Sequence, residues 1–126
     1  MSKNKVLIID DTPVIRELLH EVMTDAGFEV DIATDGQEGY KIAIQGDYAL
    51  IFCDVHMPIM NGFEAVRKIK KEKPDVPIVM TDSFPDKLAE AATAAGALCC
   101  LAKPFALDEL RDTIERIMQA KNLTVK

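Results

Sequence analysis

Asp10-Asp11, Asp54, Thr81-Asp82 and Lys103 each stand directly after a short apolar run of the chain. If those runs lie side by side, three carboxylates, a hydroxyl and an ammonium share one site. Carboxylates a few ångströms apart repel, and they cannot all ionise unless a cation joins them. All-oxygen ligands suit a hard divalent ion, Mg²⁺ before others. Mg²⁺ held by one or two carboxylates keeps positions open for phosphate oxygens. A neighbouring Lys adds positive charge for a dianion, and a Thr hydroxyl can donate to a phosphoryl oxygen. This is the equipment of phosphoryl transfer, where catalysis is largely positioning and charge neutralisation. One of the carboxylates can act as nucleophile and form an aspartyl phosphate.

The apolar runs must be arranged to bring these residues together, and the pattern predicts such an arrangement. Val6–Ile9 is the first run, and residues 28–33 alternate as a strand, with Phe28, Val30 and Ile32 against Glu29 and Asp31. Runs at 49–53, 78–80 and 97–101 complete five expected strands. Amphipathic segments separate them. Thr12-Pro13 predicts a capped helix start, with Val14, Leu18 and Val22 on one face and Gly27 as the stop. Asp35 and Glu38 have capping-box spacing for a second helix that runs to Gly46. A third follows Gly62, with Phe63, Val66 and Ile69 inward, Arg67, Lys68, Lys70 and Lys71 outward, and Pro74 at its end. The fourth is expected over 85–95 and ends before Gly96. Leu107, Leu110, Ile114 and Ile117 mark a fifth. Four nearly continuous apolar strands alternating with helices predict a parallel sheet covered on both faces. Right-handed crossovers then favour a doubly wound α/β sandwich, which binds ligands at the carboxyl ends of its strands.

Composition narrows the function further. At 126 residues the chain is one domain's worth, and 48% hydrophobic with 29% charged residues excludes disorder. No apolar run approaches the ~20 residues of a membrane span. A net charge of −6 argues against a nucleic-acid surface. The lack of G-x-G-x-x-G argues against dinucleotide chemistry. Four apolar residues after the first five are too few for a signal peptide. Three cysteines, Cys53, Cys99 and Cys100, read as reduced, buried thiols in a cytoplasmic protein, with the adjacent pair on opposite faces of a strand.

Taken together, these motifs resemble the receiver domain of two-component response regulators, over Val6 to about Met118. The residues that carry the resemblance are Asp10-Asp11, Asp54-Val-His-Met-Pro58-Ile-Met-Asn-Gly62, Thr81 and Lys103-Pro104-Phe105. Single-domain receivers of the chemotaxis and sporulation-relay type are most similar. The resemblance implies a flavodoxin-like five-stranded sheet of order 2-1-3-4-5 with five helices, in three layers. It implies Asp54 as phosphoacceptor, and Mg²⁺ held by Asp11, Asp54 and the His56 backbone carbonyl, with Asp10 acting mainly through water. Lys103 would pair with the phosphoryl group, Thr81 would swing toward it, and the Lys103-Pro104 bond would be cis. The donor would be a phosphohistidine on a sensor histidine kinase or a phosphotransfer protein. Residues 1–126 would form one receiver, a phosphoacceptor and not a turnover enzyme. It would be a monomer or a phosphorylation-dependent dimer, with no direct contact to nucleic acid or membrane. Its output would lie in a downstream protein or in an effector domain missing from this chain.

Other expectations concern single positions. The His56 side chain reads as solvated, His20 has no role, Pro58 and Gly62 shape a turn and a helix entry, and Ser83 is a rival for the part of Thr81. Four departures from the family pattern stand out. Asp82 replaces a small residue and is expected as a fourth carboxylate near the site. Cys100 stands where an aromatic ring is usual. The fourth strand looks short or bulged, and Ala106 leaves the last helix without a side-chain cap. Two other functions compete: a phosphorylation-independent pseudo-receiver binding module, and an aspartyl phosphatase. The phosphatase pattern is Asp-x-Asp, whereas the chain has Asp10-Asp11-Thr12.

Overall fold

Apolar runs and amphipathic segments alternate strictly, and in the computed structural model each becomes one element: β1 (Lys5–Ile9), α1 (Pro13–Asp25), β2 (Glu29–Ala33), α2 (Gly36–Gln45), β3 (Leu50–Asp54), α3 (Gly62–Glu72), β4 (Ile78–Asp82), α4 (Lys87–Ala94), β5 (Cys99–Ala102) and α5 (Leu107–Ala120). The structure describes residues 4–57, 59–82, 87–103 and 105–120. Pro58, Ser83, Pro85 and Pro104, on which four of the expectations fall, lie outside the described residues. All strand pairs are parallel, in the order β2-β1-β3-β4-β5. This is the flavodoxin-like arrangement expected. Among the described residues, no helix is long and apolar enough to cross a membrane.

Successive strand residues face opposite sides, and so the sheet divides the core in two. Val6, Ile8, Leu50, Phe52, Val79 and Leu101 pack with Leu19 and Met23 of α1 and Leu110 and Ile114 of α5. Leu7, Ile9, Ile51, Cys53, Ile78 and Met80 pack with Ala43 of α2, Ala65 and Ile69 of α3, and Ala92 of α4. Burial on both faces explains why β1, β3 and β4 are continuous apolar runs. β2 lies at an edge, and there Ile32 stays exposed despite its place in the alternation.

Local chemistry sets the helix ends. Gly27 and Gly96 sit at φ 98° and 127°, where a side chain is strained, and they end the turns after α1 and α4. Asp35 caps α2 by accepting from the Glu38 N–H at 2.8 Å, and Asn61 caps α3 from the Glu64 N–H at 3.0 Å. The capping box is shifted by one: the Glu38 carboxylate accepts from the Thr34 N–H and not from that of Asp35. Thr12 stands at the N-cap of α1 with no side-chain hydrogen bond to the helix. Ala106, whose side chain has no acceptor, precedes α5, and the helical bonds begin with Leu110 N–H on the Ala106 carbonyl at 3.1 Å.

Several expectations need correction. Val14 is 71% exposed, and Leu19, Val22 and Met23 are the buried residues of α1. Lys70 does not simply face out, since its ammonium folds back onto the Pro74 and Val76 carbonyls at 3.1 and 2.6 Å. β5 starts two residues later than 97 because Ala97 N–H still bonds back to Ala92. The cysteines are buried only at Cys53; Cys99 and Cys100 are partly exposed, on opposite faces. β4 is neither short nor bulged: Asp54 pairs with Thr81 and Asp82 with Ala102 in unbroken register.

Candidate functional site

Strand alternation aims the site residues. Asp10 follows Ile8 by two, Asp54 follows Phe52, Thr81 follows Val79 and Lys103 follows Leu101, so all four start from the α1/α5 side of the sheet. Backbone bonds fix their heights. Asp10 N–H donates to Ala33 O at 3.1 Å, Val55 N–H to Thr81 O at 3.0 Å, and Lys103 N–H to Asp82 O at 2.7 Å. The turn into α1 is held by Thr12 N–H on Asp10 Oδ1 at 2.8 Å and by the Arg16 guanidinium on the Asp10 carbonyl at 3.0 Å. Arg16 was not singled out from the sequence, where it reads as one of many helix cations.

At this edge the ligand oxygens of Asp10, Asp11 and Asp54 all lie within 4.8 Å of one another. Asp10 and Asp54 are buried, and Asp11 is exposed. The Lys103 ammonium sits 3.0 Å from Asp10 Oδ2 and 3.4 Å from Asp54 Oδ2. Burial, then the charge of Asp10, pushes the Asp54 carboxyl up to about 6, against the opposing pull of Lys103. One ammonium among three carboxylates leaves the cluster short of positive charge. An all-oxygen set with that deficit fits a hard divalent cation. Beside it, the Thr81 hydroxyl is buried and has no hydrogen-bond partner among the described residues. Such an unsatisfied group in the wall of a polar site calls for an explanation, and a ligand oxygen would satisfy it.

Asp82 is not a fourth carboxylate of this cluster. β4 continues through it, so its side chain falls on the opposite face from Thr81, with Met80. It is fully buried there. His56, in the loop after β3, brings Nε2 to 3.5 Å from Asp82 Oδ1. The His56 side chain is thus half-exposed and turned onto β4, not merely solvated.

The sequence from residue 6 to 115 matches the response regulator receiver domain model. The chain belongs to the response regulator receiver domain family. Relatives agree with this assignment. The receiver is 35% identical over 123 residues to a probable chemotaxis protein CheY of Rhizobium etli, covering 94% of this chain and 95% of that protein. It is also 35% identical to the sensor protein EvgS of Escherichia coli, over 97% of this chain and only 10% of that protein. Among solved structures, the response regulator TrrA of Thermotoga maritima, in complex with Mg²⁺-BeF, superposes with a TM-score of 0.82 at 32% identity, over 90% of this chain and 98% of that one.

Two backbone features mark the segment between β3 and α3. Gly62 opens α3 so close to β3 that a Cβ there would stand 2.3 Å from the Asp54 carbonyl oxygen and 2.7 Å from Val55 Cα. Its N–H donates to Val55 O at 2.7 Å. These neighbours are backbone and cannot swing away. Gly62→Ala is therefore expected to destabilise the receiver by about 2 kcal/mol, read as a lower urea midpoint. An unchanged midpoint would refute the close approach. Ile59, in the same loop, holds φ 70° with its side chain 75% exposed, a strained setting for a β-branched residue. The Cys53 thiol, adjacent to Asp54, is raised out of the reactive range by burial and then by the charges of Asp54 and Asp10.

Proposed function

We propose that Asp54 of this receiver accepts a phosphoryl group from a phosphohistidine on a sensor histidine kinase or a phosphotransfer protein. The single observation that carries this reading is the Asp54 carboxylate, buried beside Asp10 and Asp11 with the Lys103 ammonium 3.4 Å from its Oδ2. In the step, an Asp54 oxygen forms a P–O bond as the P–N bond of the donor breaks. Lys103 offsets the charge of the phosphoryl oxygens, and Thr81 donates its unsatisfied hydroxyl to one of them. Asp11, Asp54 and the His56 carbonyl would hold Mg²⁺, with Asp10 beside them; when bound, Mg²⁺ supplies positive charge against the phosphoryl oxygens. Lys103 already spans Asp10 and Asp54, so those two oxygens are held in place before a donor arrives.

The product is an acyl phosphate carrying up to about two negative charges. It biases the loops that hold Thr81 and Lys103 and so changes the surface offered to a partner. We read residues 1–126 as one cytoplasmic receiver, a monomer or a dimer formed on phosphorylation. Its output goes to a downstream protein or to an effector domain outside these residues. The pseudo-receiver reading is disfavoured, because a module that only binds has no need of three carboxylates, a lysine and a threonine meeting at one edge. The chemistry is tested by labelling with acetyl phosphate. Label should appear with Mg²⁺, fall at least tenfold without it, and vanish in Asp54→Ala. Label that survives in Asp54→Ala would sink the assignment.

A further inference from the structure

Asp82 lies outside the acidic cluster, yet it touches two of the segments that build it, those after β3 and β5. Its backbone carbonyl accepts the Lys103 N–H at 2.7 Å, and its neighbour Thr81 accepts the Val55 N–H at 3.0 Å. Its side chain, on the far face of the sheet and with no exposed surface, meets His56 Nε2 at 3.5 Å. His56 is two residues beyond Asp54 and sits in the loop whose backbone carbonyl is proposed to face the cation. A carboxylate removed from water needs polar partners nearby, and His56 is one that comes from the site loop itself. The contact thus crosses from the loop after β3 to the last residue of β4. A shift of either segment changes its length.

We infer that Asp82 is a positioning residue: through His56 it ties the cation-binding loop after Asp54 to the end of β4, and so couples cation binding to the placement of Lys103. This inference rests on the proposed Mg²⁺ site. It assigns to Asp82 and His56 a joint task that neither performs alone. The contact is made on the side of the sheet away from the phosphoacceptor, so it transmits position without adding negative charge among Asp10, Asp11 and Asp54.

Backbone amide NMR of the whole chain during Mg²⁺ titration tests this without any measure of activity. In the wild type, Mg²⁺ should move the amides of His56 and Lys103 along one binding curve. His56→Ala and Asp82→Asn should each weaken Mg²⁺ about 3–10-fold, and the double variant no more than the weaker single, since the two act through one contact. The His56→Ala arm carries the discrimination. Removing a basic side chain should by charge alone leave Mg²⁺ affinity unchanged or raise it, so a loss points to position. His56→Gln, which keeps an N–H donor, should restore most of the affinity. The inference is overturned if the two losses multiply, if His56→Ala binds as tightly as wild type, or if the Lys103 amide responds fully in that variant. Should Asp82→Asn fail to fold, the half-exposed His56 variants decide by the same criteria. A wild type that does not bind Mg²⁺ overturns the proposed function as well; wild-type binding without coupling overturns only this inference.

Discussion

Replacing Asp54 by Asn should make the metal-free receiver more stable at pH 7.5, by about 1–2 kcal/mol in urea denaturation. Asp54 titrates near 6 in the folded chain, above its ordinary 3.8. The folded state therefore holds a proton on this group more tightly than the unfolded state does. Below about pH 4 the carboxyl is neutral in both states and costs nothing. Between about 4 and 6 the unfolded chain gives up its proton first, and the wild type loses stability as pH rises. Above about 6 the charge is present in both states and the full cost is borne by the fold. A neutral Asn escapes it, so its advantage should grow from near zero at pH 4 to a plateau above pH 6. Lys103 and residual solvent contact keep the gain modest. Saturating Mg²⁺ should narrow or reverse the gap, since the cation stabilises the state that binds it more strongly. A variant that gains nothing at pH 7.5, or gains most at pH 4, would show that Asp54 is not strained by burial and by Asp10.

Lys103→Met should carry the largest penalty of any single change. Its ammonium lies within 3.4 Å of both buried carboxylates, Asp10 and Asp54, and its own side chain is 10% exposed. Breaking a buried ion pair from one side leaves a charge without compensation, at about 3 kcal/mol. Here two carboxylates lose the same cation. Metal-free Lys103→Met should therefore unfold at a markedly lower urea midpoint than wild type, with part of the loss recovered by Mg²⁺. Labelling by acetyl phosphate should drop on the order of 100-fold, the scale for removing one preorganised charge from a transition state. A loss below about threefold would mean that Lys103 serves the fold and not the transfer. The two substitutions point in opposite directions for metal-free stability, and so a general loss of packing cannot explain both.

The order of elements was legible because it is written in periods. Four short apolar runs separated by amphipathic stretches allow little besides a covered parallel sheet. Asp10, Asp11, Asp54, Thr81 and Lys103 were legible as a group because each follows such a run, and the carboxyl ends of parallel strands share one edge. Asp82 was misread for a definite reason. The apolar run stops at Met80, so Thr81 and Asp82 looked like loop residues free to turn either way. Pairing with β3 and β5 extends the strand through both. Once they are strand residues, alternation sends them to opposite faces. Val14, exposed in the structure, has its own reason: four-residue spacing says that residues share a helix face, not that every turn of that face is covered.

The sequence by itself determined which residues stand at which strand end, and with them the charge, the oxygen donors and the chemistry they can support. Only the tertiary structure decided which side of the sheet each one faces and which segments it ties together. The 3.5 Å approach of His56 to Asp82 and the seating of Gly62 on the Asp54 carbonyl depend on strand register and helix docking. Those are set by contacts distant in the chain, and no local period encodes them.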